Sequence, residues 1–275
     1  MFTARAALPR GFTLIELLVV VAIVSLLIGI LLPALASARD SARSVVGLSR
    51  LRDLAQASRF YADDNGGEMT RTSHSARVGF GPPRGLEWYL ALARYFDSSL
   101  DTWLPPSVDE GSWLRVVNEH YRSPTDRVRQ EPGEVGLGFR PVLSYAQSVW
   151  FELRRQEFEL GSGDASEPFR RLDALPFPTR TVLFAEMTEP YLSSLGPRVT
   201  PAGLGGTGQG TATDHIMAHF WKLFEVDPQE VATPTRGPLG GYVFVDGHAE
   251  IKRLEETFSV ADGRDLWDPR AMRLK

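Results

Sequence analysis

The chain has 275 residues, 43% of them hydrophobic, and a net charge of −4. It has no cysteine, which excludes disulfides, thiolate metal sites, a Cys nucleophile and a lipid-modified Cys. Residues 64–275 hold 23 basic and 30 acidic side chains; that acidic balance, with no basic stripe, argues against nucleic acid as a partner.

Residues 1–11 form a short leader with Arg5 and Arg10 and no acid. From Phe12 to Leu35 the chain is almost continuously apolar. As a helix this run is roughly 36 Å long at about 1.5 Å per residue, and a bilayer core takes about 20 such residues. A secretory signal has a shorter apolar region followed by its cleavage site, whereas here the candidate cut precedes the run. Arg39, Arg43, Arg50 and Arg52 follow it, so charge counting alone does not place the leader on the cytoplasmic side. Glu16 is the odd residue, because a carboxylate at the start of a membrane helix is costly and usually marks a function. Pro33 removes one helical hydrogen bond and predicts a kink or a locally melted turn.

The segment Gly11-Phe12-Thr13-Leu14-Ile15-Glu16-Leu17 resembles the prepilin N-terminus of type IV pilins and pseudopilins. The resemblance includes the basic leader, the Gly-Phe junction, Glu as the fifth residue after the cut and Pro33 as the twenty-second. It implies that a membrane prepilin peptidase/methyltransferase cuts after Gly11 and methylates Phe12. It further implies that Glu16 pairs with an N-terminal amine and helps recruit subunits to a filament. An ordinary signal-anchor helix with a stray Glu is the plainer alternative.

Beyond the apolar run, Leu48, Leu51, Leu54/Ala55, Ser58 and Tyr61/Ala62 recur at helical spacing, and Ala34 to Asp63 lacks proline. The helix is therefore expected to continue to Asp63, with Asp63-Asp64-Asn65-Gly66-Gly67 as its stop. Residues 64–140 read as loop-rich, with short helices expected over 86–96 and 110–122. Strands are expected within 142–153, 180–186 and 215–221. The strongest local signal is Gly241-Tyr-Val-Phe-Val-Asp246-Gly247-His248-Ala-Glu-Ile-Lys252, where Asp246-Gly247 predicts a type I′ hairpin turn. Residues 201–213 read as a flexible Gly-Thr loop, and the tail from about 259 as loosely attached.

The order SYAQS, RTVLFAE, a His-containing strand and GYVFVDGHAEI resembles a second, prepilin-like family with an H-x9-DG signature near its C-terminus. Here the His position of that signature is Arg236, so any role tied to that His does not carry over.

For metals, Asp214, His215 and His219 lie close in sequence, with Glu186, Asp246 and His248 on nearby expected strands. On a strand, positions i and i+4 are about 13 Å apart, too far to share one ion. Asp214, His215, Asp246 and His248 are weak transition-metal candidates, and Asp246-Gly247 also reads simply as a turn. Major pseudopilins of secretion systems often hold calcium in a C-terminal loop, so the resemblance leaves calcium open, although the compact Asp/Asn cluster that calcium wants does not stand out here. No G-x-S-x-G or P-loop occurs, and Gly203–Gly208 fits G-x-G-x-x-G only as letters. The chain is not expected to be an enzyme or to need a cofactor.

The expected fold is α+β: a long N-terminal helix packed on a small antiparallel sheet, as in pilins. The expected division is leader 1–11, transmembrane or filament-core helix 12–35, helix continuation 36–63 and exported globular domain 64–275. The expected role is a structural subunit of a type IV pilus-like or type II secretion-like filament. It would be held in the cytoplasmic membrane before assembly, with other pilin subunits as partners. The alternatives are a membrane-tethered exported binding or sensing domain that never polymerises and, further off, a tethered hydrolase.

Overall fold

A computed structural model describes residues 13–70, 88–100, 110–125, 143–148, 151, 171–186, 215–216, 239–259 and 262–267. It divides into two compact units, Met1–Ala42 and Arg43–Lys275.

Helix α1 spans Leu14–Asp64 and continues through Pro33. In the first unit its apolar side chains are exposed along the run from Leu14 to Leu35. It is the one helix among the described residues long and apolar enough to cross a membrane. In the second unit Ser44, Gly47, Leu51, Leu54, Ala55, Ser58 and Ala62 are buried, close to the stripe expected from spacing. α1 stops at two glycines with positive φ, Gly66 and Gly67. Gly67 N donates to Ala62 O at 2.7 Å and closes the helix end.

Helix α2 (Trp88–Phe96) and helix α3 (Glu110–Val116), which runs on into a π-helical turn Val117–Tyr121, supply aromatic packing. Trp88 meets Tyr121 and Phe184 edge-on at 5.3 and 5.0 Å between ring centroids. The Tyr121 hydroxyl donates to Tyr89 O at 2.7 Å, satisfying the polar end of a fully buried ring.

The main sheet contains β1 (Tyr145–Ser148), β2 (Val182–Glu186), β3 (His215–Ile216), β4 (Leu239–Phe244) and β5 (Ala249–Arg253), in the order β3-β1-β2-β4-β5. β1, β2, β4 and β5 pair antiparallel. β3 is the exception, running parallel to β1 with Gln147 opposite His215. A parallel neighbour requires a long connection, and the chain from Ser148 to His215 supplies one. Strand direction is set by that connection, which residue alternation does not encode.

Two expectations change in the last segment. The hairpin loop has three residues, not two. Gly247 N donates to Phe244 O at 2.8 Å, Phe244 N donates to His248 O at 3.0 Å, and Gly247 has a positive φ of 91°. Asp-Gly thus ends a turn that begins at Val245, with Gly247 in the left-handed position of a bulge. The tail is also not loose up to residue 267. After α4 (Leu254–Thr257), β6 (Phe258–Ser259) pairs with β7 (Arg264–Asp265). Trp267 is then fully buried, with Nε1 donating to Thr257 Oγ1 at 3.2 Å. Polar composition suggested detachment, but one tryptophan outweighs its neighbours in buried area.

Candidate functional site

The first turn of α1 is a capping box. Thr13 N and Thr13 Oγ1 donate to Glu16 Oε2 at 2.9 and 2.8 Å, and Glu16 N donates to Thr13 Oγ1 at 3.2 Å. Its sequence signal is Thr-x-x-Glu ahead of an apolar run. Gly11 and Phe12 lie outside the described residues, as do the rest of the leader, Asp214, Arg236 and the 201–213 loop.

In the second unit, arginines of α1 hold backbone carbonyls. Arg50 Nη1 donates to Asn118 O at 2.9 Å and also to Arg122 O, placing a cation at the C-terminal end of the π-helical turn. Arg52 Nη2 donates to Ala249 O and Arg59 Nη2 to Val245 O, each at 3.1 Å. Two side chains seven residues apart on one helix thus grip both sides of the β4–β5 turn.

Under that helix sits Glu186, 5% exposed. It accepts from Ser123 Oγ, from Thr125 Oγ1 at 2.7 Å and from Gly241 N at 3.3 Å. Tyr145, opposite Glu186 in the sheet, donates from its hydroxyl to Gly47 O at 3.4 Å. A buried carboxylate requires such donors; these ones join the 123–125 turn to the sheet, and the Tyr145 hydroxyl separately ties the sheet to α1.

Of the sequence-based metal candidates, Asp214 lies outside the described residues, and the strands that carry the others are at opposite edges of the sheet. β3, carrying His215, lies at one edge of the sheet and the β4–β5 hairpin at the other. Asp246 Oδ1 instead takes His248 Nδ1 at 2.5 Å and His248 N at 3.1 Å. The His248 ring stacks on Phe244 at 4.3 Å, and its Nε2 lies 3.6 Å from Glu250 Oε1. Among the described residues no group of three or more His, Asp or Glu is placed to hold a metal. An open cleft of about 370 Å³ is lined by residues including Arg180, Glu250, Lys252, Glu256, Asp262 and Arg264. Charges within it pair with one another: Lys252 with Glu250 at 2.9 Å and Arg264 with Asp262 at 3.8 Å.

Residues 9–32 match the family described as the prokaryotic N-terminal methylation motif. The chain carries a type IV pilin-like N-terminal segment. Among curated proteins, the chain is 43% identical over 56 residues to the type IV wide pilus major component PilA4 of Thermus thermophilus. The alignment covers 20% of this chain and 43% of that protein, so it spans less than half of the relative's length. No solved structure matches. The H-x9-DG resemblance lies outside the matched motif and remains a resemblance only.

Proposed function

We propose that this pilin-like chain is a structural subunit of a type IV pilus-like or type II secretion-like filament. The observation that carries the proposal is the methylation motif over residues 9–32, placed at the start of a helix apolar enough to cross a membrane. In this reading the prepilin peptidase removes residues 1–11 and methylates Phe12. Residues 12–35 then hold the subunit in the cytoplasmic membrane and later in the filament core. Residues 36–63 continue α1, and residues 64–275 form the exported domain. The new N-terminal amine and the Glu16 carboxylate are each costly in hydrocarbon, and pairing across neighbouring subunits offsets that cost.

The capping box favours one competing reading. Because Thr13 gives Glu16 a local role that needs no neighbour, the same signal could serve a tethered exported binding domain that never polymerises. Mass spectrometry of the mature N-terminus in membrane and sheared-surface fractions tests the proposal. Methylated Phe12 as the first residue, in both fractions, is expected. An intact leader in a host with an active prepilin peptidase, or a cut after Leu35, overturns it. Processed chain confined to the membrane fraction favours the tethered domain.

A further inference from the structure

α1 ends in an Asn-Gly dipeptide, Asn65-Gly66, and the chain contains one other asparagine, Asn118. Both residues of the dipeptide are exposed. Gly66 has a φ of +66°, and no heavy atom lies within 4 Å of the place a Cβ would take. The neighbouring amides are all engaged: Asn65 N donates to Tyr61 O at 3.0 Å, Gly67 N to Ala62 O at 2.7 Å and Glu68 N to Asn65 O at 3.2 Å. Among the described residues, Gly66 N donates to no backbone carbonyl. The nucleophile for attack on the Asn65 side chain is therefore uncommitted, and no side chain at position 66 hinders it.

We propose that Asn65-Gly66 is a site of spontaneous deamidation in the folded protein. Gly66 N attacks Asn65 Cγ, forming the N–Cγ bond of a five-membered succinimide. The Cγ–Nδ2 bond breaks and Nδ2 leaves as ammonia, carrying the proton lost from Gly66 N. Solvent water then opens the ring at either carbonyl, giving aspartate or isoaspartate at position 65. Before attack, Asn65 Nδ2 must release Tyr61 O, to which it donates at 2.7 Å. That bond lies in the last turn of the helix, where local opening costs least.

The product differs from the parent in ways that matter for this junction. A carboxylate replaces a donor beside Tyr61 O, at a helix C-terminus that already carries Asp63 and Asp64 and disfavours negative charge. Isoaspartate also lengthens the backbone just before Gly67, whose carbonyl accepts from Leu172 N at 2.9 Å. Conversion thus loosens the join between the end of α1 and the 171–174 segment, and it accumulates with the age of the subunit.

The test is peptide mapping by mass spectrometry on the purified full chain in detergent, held in mildly alkaline buffer, folded and in urea. Isoaspartate is read on the peptide containing residue 65, since Asp246-Gly247 and Asp262-Gly263 yield isoaspartate without a mass change. In the folded chain that peptide is expected to gain the amide-to-acid mass shift and isoaspartate while Asn118 keeps its amide. Asn65→Gln is expected to remove both signals. Retention of the Asn65 amide as complete as that of Asn118, or conversion confined to the urea sample, overturns the proposal.

Discussion

Thr13 and Glu16 hold each other through three hydrogen bonds at the start of α1, two of them accepted by a single carboxylate oxygen. Glu16 caps its own helix, and under the proposed filament function the same side chain also offers a charge to a neighbouring subunit. Glutamine also serves at this position of a capping box but lacks the charge. Glu16→Gln is expected to leave membrane insertion intact and to abolish filaments in the sheared-surface fraction, measured by immunoblot. Glu16→Ala is expected to lose both the filament and part of the helical signal of the first turn. Filaments at the parental level in Glu16→Gln would reduce Glu16 to its cap.

Gly241 is small because two side chains converge on it. A Cβ there would stand 2.9 Å from Leu51 Cδ1 and 3.1 Å from Glu186 Oε2. Gly241→Ala is expected to lower the denaturant-unfolding free energy by about 1–3 kcal/mol, the usual range for overpacking. Leu51→Ala alone is destabilising, but combined with Gly241→Ala it should cost less than the sum of the two changes, because the shortened side chain admits the new methyl. Strict additivity would show that the crowding is not at Leu51.

What could be read in the sequence was what local patterning determines. The α1 stripe through Leu51, Leu54, Ala55 and Ser58 follows from helical spacing, and the β4–β5 hairpin follows from alternation around Asp246-Gly247. The turn type did not follow, because Asp-Gly also suits the last two residues of a three-residue loop. Glu186 looked like one more strand carboxylate. Its burial depends on Ser123, Thr125 and Gly241, which lie 63, 61 and 55 residues away. No window of sequence joins those positions, and the same holds for the grip of Arg52 and Arg59 on the hairpin.

Trp267 makes the same point about the tail and is open to direct measurement. It is fully buried, meets the Tyr242 ring edge-on at 6.1 Å, and the adjacent Leu266 O accepts from Val182 N at 2.8 Å. Trp267→Ala is expected to cost about 3–5 kcal/mol, as other buried Trp and Phe truncations do. Hydrogen exchange should quicken in β6, β7 and the start of β2. Unchanged exchange at Val182 would show that the tail does not brace the central strand.

His120 should give the second unit a pH dependence distinct from that of its carboxylates. Its ring stacks on Phe96 at 4.1 Å, and its Nδ1 is buried with no hydrogen-bond partner among the described residues. Burial lowers its pKa below the ordinary histidine value; Asp53 and Glu119 pull the other way, and Arg50 adds to the lowering. The neutral ring is thus the form the fold accepts. Above about pH 6.5, where the unfolded histidine is also neutral, His120 contributes no pH slope. As pH falls from there through the lowered folded value, the unfolded chain takes up the proton first and stability is lost. Asp97 and Asp173, held low by Ser99 and Arg171 respectively, lose their contributions only in the more acidic carboxylate range, so the two windows separate. His120→Phe keeps the ring contact and removes the titration. Urea midpoints at about pH 7 and about pH 5 should therefore fall less for the variant than for the parent. An equal fall in both would assign the acid sensitivity to other groups.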